Sequence, residues 1–98
     1  MSQAAISREL VEIFQADQAD RQNIQHVTPE QLSAIAARDQ ERRARVMEIV
    51  EQAQLHSAED YFHAAMVLQH GKQPADYLLA HELATIAGFK DHKLGQWL

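Results

Sequence analysis

Cysteine is absent from this 98-residue chain. Its absence removes disulfides, thiolate nucleophiles and zinc-finger sites together. There are only two prolines and three glycines, too little turn chemistry for an all-β sandwich or barrel. No G-x-G-x-x-G or G-x-x-x-x-G-K-[ST] phosphate loop is present. No apolar run approaches the roughly 20 residues needed to cross a bilayer. Residues 1–8 lack the basic region and apolar run of a signal peptide. Positive charge is scarce as well: nine Lys and Arg face fourteen Asp and Glu, a net of −5. A duplex-binding domain would show a basic stripe. The densest basic run, Arg42-Arg43-Ala44-Arg45, directly follows Asp39 and Glu41 and reads as a solvated helix face with local ion pairs. These absences predict a cytoplasmic protein with no nucleic-acid partner, no membrane partner and no cofactor.

What is there is helix-forming. Hydrophobic residues make up 46% of the chain, but 16 of them are alanine, so the core must be thin. Apolar residues recur at spacings of three and four. A first helix is predicted from about Ser2 to Asn23, with a stripe of Ile6, Leu10, Ile13 and Phe14. Thr28, Pro29 and Gln31 then provide an N-cap, a first-turn proline and a capping box. They open a long second helix to about Gln54, with a stripe of Leu32, Ile35, Ala36, Val46, Ile49, Val50 and Ala53. Ser57 caps a third helix, with Glu59 and Asp60 well placed against its dipole. It is expected to stop at Gly71, as a C′ glycine. A fourth helix runs from about Ala75 to Ala87 and is expected to end at Gly88. A fifth segment from about Asp91 closes on Trp97-Leu98. That ending is unusual, because termini are mostly polar and loose. Either Trp97 docks back on the core or the natural chain continues past Leu98, and the second fits better.

The apolar stripes are interrupted by charge. A three-four walk along the first helix reads Leu10, Phe14, Asp17, Arg21, Ile24, and along the second Leu32, Ala36, Asp39, Arg43, Val46, Val50, Ala53. If the two helices pack antiparallel, these charges meet. An i,i+4 pair in water contributes only about 0.2–0.5 kcal/mol, whereas losing one partner of a buried pair costs roughly 3–5 kcal/mol. Three readings follow: an interhelical salt-bridge cluster that fixes register, a polar pocket taking an anionic or zwitterionic group through Arg21 and Arg43, or a misassigned seam with both pairs in solvent.

Histidine is enriched: His26, His56, His63, His70, His81 and His92. His63 and His70 are two helical turns apart, about 10.5 Å along the axis, too far to share one ion. Metal-gripping pairs on one helix use i,i+3 or i,i+4 spacing, so no metal site is predicted. His70 reads as a helix-terminal cation and His63 as a surface or rim residue. Ser57 with His56 and Asp60 is explained as a helix cap rather than a nucleophile with its base, and no catalytic residue is assigned.

Several segments together resemble a bacterial all-helical family known only as a domain of unknown function. They are Asp17-Gln18-Ala19-Asp20-Arg21, Arg38-Asp39, the run from Asp60-Tyr61 through Ala64-Ala65 to Gln69-His70-Gly71, and Ala80-His81-Glu82-Leu83-Ala84. The resemblance spans nearly the whole chain and implies a helical fold without implying an activity. Its members continue past the Trp-Leu into a further helical stretch. The last forty residues are also similar to a tetratricopeptide-type helix pair, in which small residues let helices approach closely. The sequence therefore predicts one all-α domain over 1–98, of four to five helices: an irregular bundle with a repeat-like C-terminal hairpin, truncated at its C-terminus if the natural chain runs on. Two functions are carried forward. One is a non-enzymatic interaction module for a protein partner or a homodimer. The other is a small-ligand or metal-dependent site, within an enzyme if its remaining residues lie beyond position 98, built from Asp17, Arg21, Asp39, Arg43, Gln69 and His70.

Overall fold

The computed structural model describes residues 2–22 and 24–91. These form an all-α irregular bundle: α1 (Gln3–Arg21), α2 (Pro29–Glu51), α3 (Ala58–Leu68) and α4 (Pro74–Lys90), with a 3-10 turn at Ile24–His26. The starts follow the local chemistry. The Ser2 hydroxyl accepts from the Ala5 N–H, and Thr28 with Gln31 forms the expected capping box. Ser57 with Asp60 forms another on α3. Pro29 and Pro74 sit in first turns, where a missing N–H costs nothing.

The helix ends differ from expectation. α3 ends at Leu68 and Gly71 does not adopt a positive φ. A Cβ on Gly71 would instead run into the Asp76 carboxylate, so this glycine serves close approach rather than a left-handed cap. α4 continues through Gly88 to Lys90, because a single glycine costs only about 1 kcal/mol inside a helix. The left-handed position is Ala53, φ 56°, where the Ala53 N–H bonds the Val50 carbonyl and the Gln54 N–H bonds the Ile49 carbonyl. That is a Schellman closure of α2. The expected fifth segment lies outside the described residues from His92 onward, as does the placement of Trp97.

One core draws on all four helices: Ile6 and Leu10, Val46 and Ile49, Ala64, Ala65, Val67 and Leu68, and Ala80, Leu83 and Ala84, with Leu55 from the α2–α3 connection. α3 touches each of the other three helices. Leu32 and Ala36, expected on the buried stripe of α2, are exposed; of that first stretch only Ile35 is buried. Asp60 ties the open end of α1 to α3. It is 1% exposed and accepts from the Ser7 hydroxyl at 2.7 Å, from Gln3 Nε2 at 2.9 Å and from the His56 and Ser57 N–H groups. Burial pushes its pKa up, but these donors outweigh that and hold it below the ordinary carboxylate value.

Candidate functional site

α1 and α2 run antiparallel, shown by ion pairs that step in opposite senses along the two helices, Glu9 with Arg45 and then Arg21 with Asp39. The charges that interrupt the apolar stripes meet between them. Arg21 forks onto Asp39, Nη1 to Oδ1 at 3.0 Å and Nη2 to Oδ2 at 2.8 Å, while Nη1 also reaches Asp17 Oδ1 at 2.8 Å. Arg42 Nη2 joins Asp39 Oδ1 at 2.7 Å to Asp20 Oδ2 at 2.8 Å. Arg38 closes the far side with a second fork onto Asp20. The result is a continuous chain, Asp17–Arg21–Asp39–Arg42–Asp20–Arg38, of three carboxylates and three guanidiniums.

The two ends of this chain differ in exposure. Asp17 is 1% exposed, whereas the Arg38 side chain is 49% exposed. Asp20 is pulled down to about 2, first by its hydrogen bond from Arg38 and then by Arg42 against the opposing effect of burial. For Asp39, burial works upward, but the hydrogen bonds from Arg21 and Arg42 win and the net shift is downward. At the Asp17 end, His70 arrives from the end of α3 with Nε2 3.1 Å from Asp17 Oδ2. A carboxylate oxygen accepts, so Nε2 carries the hydrogen and Nδ1 is left for other contacts.

Of the predicted set, Asp17, Arg21, Asp39 and His70 come together. Arg43 does not: it makes no ion pair with Asp39 among the described residues, and its Nη1 donates to the His70 carbonyl at 3.3 Å. The physical reason is the phase of the stripe. Leu32 and Ala36, on which the walk was anchored, are exposed, and the inward positions run Ile35, Asp39, Arg42, Val46, Ile49, so after Asp39 it is Arg42, at i+3, that faces α1. Gln69 also stays apart, as the α3 C-cap with Nε2 against the Met66 sulfur. Asp20, Arg38 and Arg42 were missed, although the Asp20-Arg21 and Arg42-Arg43 doublets were a usable signal. No group of three or more metal-ligating side chains capable of holding an ion is found among the described residues. His63, expected at a surface or rim, is half-buried against Phe14 and Phe62, at ring-centroid distances of 4.9 and 5.7 Å. Burial lowers its pKa, against the upward pull of Asp60 and Glu59.

Beside the ionic chain a cleft of about 490 Å³ opens between α2 and the α3–α4 turn. Ala36 and Ala37 contribute its apolar surface, Asp39, Arg43, Lys72 and Asp76 its charged groups, and His70 an imidazole. Arg21 is not among its lining residues. No protein-family model matches the chain, and no curated protein or solved structure matches it. The likeness to a helical family of unknown function therefore rests on the sequence motifs alone. Among the described residues, no helix is long and apolar enough to cross a membrane.

Proposed function

We propose that this chain is a non-enzymatic helical interaction module that docks a protein partner, a second copy of itself first among them, on the outer face of α4. The observation that supports this reading lies on one helix. Leu78 is 61% exposed and Phe89 88% exposed, with Ile86 at 37% between them. Residues 78, 86 and 89 are spaced eight and three apart, so these apolar side chains share one face of the helix, with the exposed Glu82 between Leu78 and Ile86. The opposite face, Ala80, Leu83, Ala84 and Ala87, is the one packed into the core. In a chain with so thin a core, leaving a phenylalanine ring in water forgoes about 1.5–3 kcal/mol of burial. Scattered exposed apolar residues need no explanation, but an aligned row on the outside of an already packed helix marks a surface for association.

Sedimentation of the purified chain against concentration tests the reading. Association with a Kd of about 1–100 µM is expected, a free energy near −8 to −5 kcal/mol. The double variant Leu78→Glu/Phe89→Glu is expected to stay at 11.1 kDa with its helical circular dichroism intact. A wild-type chain that remains monomeric at about millimolar concentration overturns self-association. A captured partner whose binding is indifferent to the double variant overturns the α4 face altogether.

A further inference from the structure

The cleft beside the ionic chain carries positive charge that the protein does not use for itself. Asp39 is already engaged by both Arg21 and Arg42. Asp76 Oδ2 accepts from the Gln73 N–H at the start of α4 and remains the one lining carboxylate without a cationic partner among the described residues. Against these, Arg43 and Lys72 have no carboxylate within ion-pair distance among the described residues. Arg43 commits a single N–H, to the His70 carbonyl, of the five that a guanidinium holds. These two free cations stand in one cleft of a chain whose overall charge is −5.

We infer that this cleft binds a small phosphate-bearing anion through Arg43, Lys72 and His70. The three groups come from two places, Arg43 from the middle of α2, and His70 and Lys72 from the α3–α4 connection. Two cations without a carboxylate partner match a doubly charged oxyanion better than a singly charged carboxylate, for which one arginine fork suffices. Nε2 of His70 is turned to Asp17, which leaves Nδ1 as the other polar atom of a ring that lines the cleft. A phosphate that retains a proton donates to Nδ1 when the ring is neutral, and accepts from it when the ring is charged. Acetate at neutral pH only accepts. The volume, about 490 Å³, is that of a small-metabolite site. This inference is independent of the α4 face, which lies on a different surface of the bundle.

The test is titration of the full chain with inorganic phosphate, then with acetate at matched ionic strength, followed through backbone amide shifts. Saturable shifts at residues 43, 70 and 72 with phosphate are expected, with little response to acetate. Arg43→Gln and Lys72→Gln are each expected to weaken phosphate binding about tenfold, or 1.4 kcal/mol, while the exposed Arg8→Gln leaves it unchanged. Lys72 is exposed, so its variant stays informative even if Arg43→Gln perturbs the fold. No saturation below about 50 mM, a Kd that corresponds to less than 2 kcal/mol of binding, overturns the inference. Equal weakening by Arg8→Gln overturns it in favour of general charge screening, and equal shifts with acetate overturn the choice of phosphate.

Discussion

Ala53 closes α2 in the left-handed region, φ 56°, where a Cβ costs roughly 1–2 kcal/mol. Glycine relieves that strain but adds about 0.5–1 kcal/mol of unfolded-state entropy. Strain is the larger quantity, so Ala53→Gly is expected to stabilise the fold by about 0.5–1 kcal/mol. In chemical denaturation the midpoint should rise with the slope unchanged; a lower midpoint would show that the Schellman closure is not strained. The same residue marks a limit of reading sequence. Glycines at 71 and 88 invite two helix stops, yet one is needed for the approach of Asp76 and the other is carried inside α4. Close approach is a tertiary fact, and no local rule contains it.

At the scale of elements, the helix starts were legible because a cap is local: Thr28 with Gln31 and Ser57 with Asp60 carry their signal within four residues. The meeting of Asp17 and Arg21 with Asp39 was legible too, because charge on an apolar stripe is conspicuous. The place of Arg42 rather than Arg43 was not, since it depends on whether Leu32 and Ala36 or Ile35 anchors the inward stripe of α2, and only packing decides that. The ionic chain between α1 and α2 is also unequal from end to end. Arg21→Met leaves Asp17, 1% exposed, without its arginine and is expected to cost about 3–5 kcal/mol. Arg38→Met removes an arginine that is 49% exposed and is expected to melt close to the wild-type chain, because water screens an exposed pair. Paired thermal melts decide this, and equal losses would mean that the difference in burial between the two ends has no energetic counterpart.

For the whole molecule, acid should act in two stages. His63 lies half-buried between Phe14 and Phe62, with a pKa below its ordinary 6.5. The unfolded chain therefore takes up this proton first, and stability falls as pH drops below about 6.5. Glu9, Asp20, Asp39 and Asp60 are likewise lowered from 4.5 or 3.8, Asp20 to about 2. Their contribution is present above the unfolded values and is lost between roughly pH 4.5 and 2. His63→Phe should flatten the first stage and leave the second; an unchanged slope between pH 7 and 5 would remove His63 as its origin.

α3 and α4 pack on each other, and their buried residues include Ala64 and Ala65 on the first and Ala80, Ala84 and Ala87 on the second. A methyl group has no rotamers to surrender, so this pair of helices closes at almost no side-chain entropy cost, with each methyl returning only about 0.8 kcal/mol. Smoothness of this kind holds two rods together without dictating their rotation about one another. That orientation is left to the few bulky pegs in the same layer, Leu68 and Leu83, and to the clash-free seat of Asp76 beneath Gly71.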